Sequence, residues 1–441
     1  MKKKILLSSV LFLCFAMAQA QDLQQITVEG VTPGNLLTVV KGKVANYKTV
    51  GGLTVKGTID ARDFLIMRDS LSNMTVTNLS DVNINAYTGK EGPKWSTDDV
   101  IYPANTLPED AFYIYTNTSV LASVTLPSSI KTIGRNALGA CVKLEEVIIP
   151  NSVDSIEENA FISCSSLKSI KLPSQLKRVG ELFANCSSLE SVELPVDLEA
   201  LGGFSSCTAL KTLEIPTTVK TIIPFSFSWS GLTYIDIPVS VNTIGKGIFN
   251  GCNSLATVKI HANVKKLSWD VFGGCTALKV IELPETFESL INLMESESLE
   301  SIYSNNPIPP TYAYFADATY TNATVYVPKG SLQAYKDAES WTQFTKIVEL
   351  ESTGLGEVRS NVSLTIVGNP VQGSEAKLTF TEAGDGAIIR ITDLAGKTVL
   401  QQAVATGSTA ANMSVASLSK GIYLVKYTDN EGKLATVKMI K

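Results

Sequence analysis

A seven-residue motif, leucine-x-x-isoleucine-x-leucine-proline, recurs through the middle of this chain and constrains its fold more than any other feature. Other aliphatic residues replace the second and third apolar positions in many copies, and the copies close at residues 127, 150, 173, 195, 216, 238, 261 and 284. The steps between these positions are 23, 23, 22, 21, 22, 23 and 23 residues. A fixed period in the twenties is typical of a solenoid, in which each unit buries its apolar residues only by stacking on its neighbours.

Further apolar columns follow the motif in each repeat and indicate a second arm of the coil. The last column consists of Leu138, Phe161, Phe183, Phe204, Phe227, Phe249 and Phe272. The gap before it is 5, 5, 4, 3, 5, 5 and 5 residues, which predicts a bend that tolerates changes of length. The fold class that follows is a mainly β leucine-rich repeat solenoid with N- and C-terminal caps and a small C-terminal β-sandwich.

Patterning divides the chain into six segments. Basic residues, a short apolar run and small residues ending at Ala20 predict a signal peptide cleaved after that residue. The repeats are closed by a cap in which a strand is followed by a short helix that Ser331 opens as a serine cap. The predicted segments are a signal peptide at 1–20, an N-terminal capping region with degenerate repeats at 21–120, repeats of 21–23 residues at 121–298, a C-terminal cap at 299–350, a linker at 351–358 and the β-sandwich at 359–441.

The six cysteines beyond the signal peptide follow the repeat. Their spacings are 23, 22 and 21 in one group and 23 in a second, so each holds the same place in its unit. We therefore expect one column of buried free thiols in place of a disulfide framework, with Trp229 filling the slot between the two groups. The column consists of Cys141, Cys164, Cys186, Cys207, Cys252 and Cys275.

Little in the sequence favours catalysis. The only histidine, His261, stands in the proline position of a repeat and is expected to be a surface residue. Zinc-ligand spacing and a glycine-rich phosphate loop are both lacking, so no metal and no cofactor are predicted. Carboxylate pairs such as Asp60 with Asp63 are interpreted as solvated turns. A net charge of −5 gives no basic surface for nucleic acid, and we predict a protein that is not an enzyme.

The outward face of the first-arm strands is the predicted binding surface. Parallel strands lie about 4.8 Å apart, so Glu193, Glu214 and Asp236 would form a run of like charges that neighbouring strands normally avoid. Charge that merely keeps the face soluble is the alternative. The candidate binding residues are Lys171, Glu193, Glu214, Tyr234, Asp236, Lys259 and Glu282.

A group of tyrosines in the closing segment is expected to cover the final coil, with an interface role as the alternative. The group consists of Tyr303, Tyr312, Tyr314, Tyr320 and Tyr326.

Two stretches carry family resemblances. Units such as residues 144–166, and the closing segment 325–331, resemble the BspA-like leucine-rich repeat family of bacterial surface proteins. That resemblance implies a cell-surface protein, and some members of the family act as adhesins. The last eighty residues resemble the C-terminal sorting domain of type IX secretion cargo, which implies recognition by the outer-membrane export machinery. The residues that carry the second resemblance are Asn369, Pro370, Asp393, Gly396, Gly421, Tyr423, Lys438 and Lys441. The family often has an aromatic residue before the Asn-Pro pair, and this chain has none there.

Together these features predict an exported, surface-displayed adhesin that recognises a host or neighbouring-cell macromolecule. One alternative is a glycan-binding module for nutrient capture, which predicts aromatic residues clustered on one exposed face. Another is a passive envelope or spacer protein, which predicts no saturable ligand.

Overall fold

The structure is a computed structural model that describes residues 23–116, 119–350, 364–367, 371, 373–392, 398–419, 421–429 and 434–441. The predicted signal peptide with Ala20 and the predicted linker lie outside the described residues. The chain divides into two compact units, Met1–Glu349 and Leu350–Lys441. None of the described helices is long and apolar enough to cross a membrane.

The first unit opens with three parallel strands that extend the sheet of the repeats. They are β1 (Gln24–Val31), β2 (Val50–Ile59) and β3 (Val76–Ile84), and β3 pairs with the first repeat strand. The connections contain helix α1 (Leu36–Lys43), a 3₁₀ turn (Tyr47–Thr49), helix α2 (Ala61–Leu65) and a π-helical turn (Ile66–Ser70). Two short strands, β4 (Tyr87–Gly89) and β5 (Val100–Tyr102), pair antiparallel, and β6 (Thr106–Leu107) follows.

Asp60 and Asp63 are buried, so the prediction of a solvated turn is wrong for this pair. They form the capping box of α2, in which the Asp60 carboxylate accepts the backbone N–H of Arg62 and the Asp63 carboxylate accepts that of Asp60. The Asp63 carboxylate also accepts backbone N–H groups of Gly34 and Leu36, at 2.8 and 3.1 Å, and so ties the first connection to the second.

Most repeats contain a first-arm strand and a second-arm strand, and the pairings between described repeat strands are parallel. The repeat strands are, in chain order, β7 (Ser123–Thr125), β8 (Thr132–Ile133), β9 (Glu146–Ile148), β10 (Ser155–Ile156), β11 (Ser169–Lys171), β12 (Arg178–Val179), β13 (Ser191–Glu193), β14 (Ala200–Leu201), β15 (Thr221–Ile222), β16 (Tyr234–Ile237), β17 (Thr243–Ile244), β18 (Thr257–Ile260), β19 (Val280–Leu283), β20 (Ser289–Leu293), β21 (Ser301–Ser304), β22 (Thr311–Phe315), β23 (Thr324–Val327) and β24 (Ile347–Glu349).

The first arms form a five-stranded sheet in the order β1-β2-β3-β7-β9, a two-stranded sheet β11-β13, and a six-stranded sheet β16-β18-β19-β21-β23-β24. The second arms form the sheets β10-β8-β6, β12-β14-β15-β17 and β20-β22. Within a first arm the alternation is as predicted: Val124 and Leu126 are buried, and Thr125 between them points outward.

The phenylalanine column is the centre of the core. Its rings are fully or almost fully buried and stacked face to face, with interplanar angles from 11° to 22°. Successive ring centroids are 5.5, 5.6, 5.9, 5.8 and 5.8 Å apart along the series from Phe161 to Phe272. Burial of one such side chain contributes about 1.5–3 kcal/mol. Because each ring is buried by the rings of adjacent repeats, the column stabilises a repeat only through its neighbours.

The solenoid ends with helices α3 (Asp317–Asn322) and α4 (Leu332–Asp337), which place large aromatic side chains over the final coil. Trp341 is fully buried and its Nε1 donates to the carbonyl oxygen of Pro310 at 2.8 Å. Ser331 holds the N-cap position of α4 as predicted, but its side chain accepts no capping hydrogen bond. Its αR backbone (φ −99°, ψ −8°) departs from the extended conformation usual at an N-cap.

The second unit is built from two antiparallel sheets around its own apolar core. Two of its strands, Ala410–Ser414 and Leu434–Ile440, are not predicted from the sequence. The strands are β25 (Leu364–Val367), β26 (Glu375–Phe380), β27 (Ile388–Thr392), β28 (Thr398–Ala403), β29 (Ala410–Ser414), β30 (Ile422–Thr428) and β31 (Leu434–Ile440). The sheets have the orders β25-β26-β29 and β28-β27-β30-β31, which agrees with the small β-sandwich expected here.

Candidate ligand-binding surfaces

Four of the seven candidate binding residues lie together on the six-stranded sheet. Register pairs Asp236 with Lys259 and Lys259 with Glu282, and Tyr234 lies on the same strand as Asp236. Beyond Glu282 the same outward column continues as Tyr303, Tyr326 and Val348. Lys171 and Glu193 are paired with each other on the separate sheet β11-β13. Glu214 lies in the described stretch 202–220, which contains no strand.

Basic side chains lie beside Glu193 and Asp236. The Glu193 carboxylate forms an ion pair with Lys171, and His261 Nε2 lies 3.5 Å from Asp236 Oδ1. The expected run of like charges is therefore offset, because Lys171 stands in register with Glu193 and Lys259 stands in register with Asp236. Exposed pairs of this kind contribute about 0–1 kcal/mol each, so they position side chains more than they stabilise the fold.

Packing around Tyr234 and Asp236 changes their acidity. Burial raises the pKa of Asp236, and His261 and Lys259 oppose that increase. Burial raises the pKa of the Tyr234 hydroxyl as well, and the nearby Asp236 carboxylate adds to the effect. The Tyr234 hydroxyl donates to Asp236 Oδ2 at 3.4 Å. Tyr234 is therefore a neutral hydrogen-bonding group held against a carboxylate.

Glu282 is less accessible than the alternation of the strand indicates. It is only 8% exposed, and its carboxylate accepts from Asn305 Nδ2 at 3.2 Å and lies 3.8 Å from Lys259 Nζ. The expectation that Glu282 is an exposed contact is wrong, since the neighbouring strand supplies a partner that covers it.

The tyrosines of the closing segment do not act as one group. Tyr303 and Tyr326 stack on the outward sheet face with ring centroids 4.6 Å apart and an interplanar angle of 10°. Tyr320 packs edge-on against Phe315 and Phe344, and it alone of the five clearly covers the coil. Tyr312 and Tyr314 are exposed on β22, in the second arm. The expected covering role is thus wrong for most of the group, because the strand pleat turns alternate residues to solvent.

The cysteine column is present as predicted, with six free and buried thiols. Each Sγ donates to a carbonyl oxygen of the preceding repeat, as Cys164 does to Leu138 at 3.1 Å and Cys252 does to Phe227 at 2.9 Å. Burial raises the pKa of the Cys141 thiol to about 12, which makes it unreactive at neutral pH. Within the described ranges, no group of three or more His, Cys, Asp and Glu side chains could hold a metal ion.

The prediction that Trp229 fills the empty cysteine slot is wrong. Ser230 occupies it: its backbone N–H donates to the Phe227 carbonyl at 3.0 Å, as the N–H of Cys252 does to Phe249. Trp229 precedes the column at a position with positive φ (59°), which directs its side chain outward and leaves it 61% exposed.

The shortened repeats form a groove of about 660 Å³ in the second arm, which the sequence does not predict. Residues 179–183 and 201–204 have the short gaps, while the repeats on both sides keep the full length. Glu157 and Glu158 line one wall, and Ile223, Pro224 and Phe225 line the other. The two shortened gaps in the sequence were the signal that could have predicted this groove. They mark a recess in the surface as well as a bend that tolerates changes of length.

Part of the sorting motif is described in the second unit. Gly421 and Lys441 exchange two backbone hydrogen bonds of 2.9 Å, so the C-terminal residue closes the sheet against the start of β30. The Tyr423 hydroxyl donates to the carbonyl oxygen of Ser419 at 3.0 Å. Asn369, Pro370, Asp393 and Gly396 lie outside the described residues, and Lys438 is described only by the pairing of its backbone with Leu424.

Comparison with known proteins defines the class. Residues 100–203 and 181–299 match the BspA type leucine rich repeat region, in six copies, and residues 367–441 match the secretion system C-terminal sorting domain. No curated protein matches the chain.

Solved structures with similarity to this chain include a leucine-rich repeat protein from Bacteroides ovatus (20% identity, 69% of this chain and 85% of that chain, TM-score 0.42). A leucine rich cell surface protein from Faecalibacterium prausnitzii is also similar (22% identity, 68% and 88%, TM-score 0.29). A third is the pneumococcal vaccine antigen PcpA (16% identity, 68% and 80%, TM-score 0.32).

The protein therefore belongs to the class of leucine-rich repeat solenoids. More specifically, it carries BspA-type repeats followed by a type IX sorting domain, and it is a secreted, cell-surface protein.

Proposed function

We propose that this protein is an adhesin that recognises a protein of a host or a neighbouring cell through the outward face of the six-stranded sheet. The strand face is defined as Tyr234, Asp236, Lys259, Tyr303 and Tyr326. The observation that carries the proposal is the collection of three tyrosines and a set of paired charges on one continuous sheet. Lys171, Glu193 and Glu214 belong to preceding repeats and would form the rim.

The geometry of the strand face suits a protein partner. Six strands spaced by about 4.8 Å extend the face over about 24 Å, which is comparable to one side of an ordinary protein interface. Tyrosine is enriched among the residues that dominate binding energy, and the stacked pair Tyr303–Tyr326 is ordered before a partner arrives. The charges around it would select the partner and its orientation.

The sorting domain supplies a second partner in this proposal, the outer-membrane secretion machinery, which would recognise the second unit before display. No catalytic role is assigned to any residue.

The test is a binding screen of the mature chain, residues 21–441, against immobilised matrix proteins and mucins by surface plasmon resonance. The face variant is Tyr303→Thr with Tyr326→Thr, since threonine stands at the same outward position in Thr125. The matched control is Tyr312→Thr with Tyr314→Thr, which removes two exposed tyrosines from the second arm. We expect saturable binding that weakens at least tenfold in the face variant and persists in the control. Equal binding by both variants, or no saturable binding to any protein, would contradict the proposal.

A further inference from the structure

The groove between the repeats owes its shape to two glycines. Gly203 has φ +83°, and a Cβ built on it would lie 1.9 Å from the carbonyl oxygen of Gly180. A Cβ on Gly202 would lie 2.0 Å from Cγ1 of Ile223. Glycine at these positions permits the shortened bend. The shortened bends form the bottom of the groove, and the full-length repeats on either side form its walls. The walls are three repeats apart, or about 14 Å at the usual strand spacing.

The groove lining is rich in charge but nearly balanced. Three side chains are basic (Arg135, Lys177 and Arg178) and four are acidic (Asp154, Glu157, Glu158 and Glu181). Because the two signs of charge nearly cancel, such a surface favours neither a polyanion nor a polycation. A neutral ligand with many hydroxyl groups can both donate to the carboxylates and accept from the guanidinium and ammonium groups. The volume lies within the range of about 300–1,000 Å³ that is usual for small-ligand sites.

Two exposed aromatic side chains of one turn, residues 224–229, have a backbone conformation that L-residues rarely adopt. Phe225, which lines the groove, has φ 56°, and Trp229 four residues later has φ 59°. Glycine takes the corresponding positions in the following repeat, at Gly247 and Gly251. Positive φ recurs at the same two positions in earlier repeats, at Asn136 and Ala140 and at Asn159 and Ser163. The left-handed turn therefore belongs to the repeat, and the aromatic side chains distinguish this copy of it.

The indole of Trp229 forms an open, flat platform. A Cβ on Gly251 would lie 2.4, 2.6 and 2.8 Å from Cδ2, Cε2 and Cε3 of the indole, so the ring rests face-on against that glycine. With 61% of the residue exposed, the other face of the ring is open to solvent. Two atoms of the Phe225 ring, Cδ1 and Cε1, lie against Gly247, Lys246 Nζ stands over the ring at 5.3 Å from its centroid, and 43% of Phe225 is exposed. Two preformed aromatic surfaces thus occupy one turn of the solenoid.

We propose that the groove and the Trp229 platform bind a neutral oligosaccharide. The apolar C–H face of a pyranose ring would stack on the indole or the phenyl ring, and the hydroxyl groups at its edge would reach the charged side chains of the groove. A peptide is the less favoured ligand because the backbone groups that it would use are occupied. The carbonyl oxygens of Glu158 and Glu181, for example, accept from Asn136 and Asn159 of the preceding repeat at 3.2 and 2.7 Å. This site is separate from the strand face and goes beyond the adhesin function proposed above.

The test titrates the mature chain with cellohexaose, xylohexaose, mannohexaose and poly-N-acetyllactosamine hexasaccharide, using calorimetry and tryptophan fluorescence. The platform variant is Trp229→Gly and the groove variant is Phe225→Gly, since each introduces the residue that the next repeat already has there. The matched control is Trp95→Ala, which removes another exposed tryptophan from the same unit. Circular dichroism confirms that each variant is folded.

We expect at least one of these sugars to bind, with a change in tryptophan emission, and its affinity to fall at least tenfold in both glycine variants. Trp95→Ala and the strand-face variant should bind it like the unaltered protein, which separates this site from the adhesin proposal. Binding of none of the four sugars, or binding that the glycine variants leave unchanged, would overturn the proposal. So would saturable binding of a random-sequence peptide library that competes with the sugar and is lost in Trp229→Gly, since it would identify the site as peptide-binding.

Discussion

Substitution of Phe204 by alanine should be among the most destabilising single changes in the repeats. The ring is fully buried and stacked on both sides, with centroids 5.6 Å from Phe183 and 5.9 Å from Phe227. Truncation of a buried phenylalanine costs about 3–5 kcal/mol, and an aromatic contact adds about 0.5–1.5 kcal/mol beyond the area buried. Since two such contacts are lost, we expect a loss near 5 kcal/mol in the free energy of unfolding.

Urea unfolding followed by tryptophan fluorescence measures this loss. All four tryptophans (Trp95, Trp229, Trp269 and Trp341) lie in the first unit, so the second unit does not contribute to the signal. The comparison variant is Phe161→Ala, at the end of the stack, where the ring contacts Phe183 on one side and the preceding position is Leu138. It should cost about 0.5–1.5 kcal/mol less than Phe204→Ala. An equal or larger cost for Phe161→Ala, with unchanged m-values, would refute the ring-stacking contribution and leave burial alone to explain the column.

Three other changes test the backbone and the thiols. Gly203→Ala should destabilise the first unit by well over 1 kcal/mol, because the alanine would combine a positive φ with a clash against the carbonyl oxygen of Gly180. Thermal unfolding would measure this loss, and an unchanged midpoint would argue against the tight bend. Trp229→Gly should raise the stability by up to about 1–2 kcal/mol by removing left-handed strain, so a lower midpoint would mean that the indole contributes packing that outweighs the strain. A buried thiol that ionises near pH 9 when unfolded and near pH 12 when folded binds more protons in the folded state between these values. For Cys141, stability should therefore be unaffected below pH 9 and fall above it by about 1.4 kcal/mol per pH unit, which urea unfolding across pH 8–11 would detect and the Cys141→Ala variant should reduce.

The two proposed surfaces use different parts of the same coil. The strand face depends on first-arm strands that repeat in register, whereas the groove depends on second-arm bends that differ from repeat to repeat. A surface protein with both could hold a protein and a glycan independently. The paired variants, one set at Tyr303 and Tyr326 and the other at Phe225 and Trp229, separate these activities.

The sequence by itself determined the repeat, its period, the buried columns and the order of the segments that carry the two family resemblances. These follow from apolar periodicity, which is local and needs only stacked neighbours to be satisfied. The sequence did not determine which side chains are accessible. Glu282 is covered by a partner from the next repeat, and Trp229 is exposed because a left-handed backbone turns it away from the cysteine column that Ser230 completes. Both outcomes depend on contacts between repeats and on the sign of one backbone angle. The groove is a further example of what the sequence did not determine. Its two short gaps can be seen in the sequence, but they form a recess only because full-length repeats stack on either side.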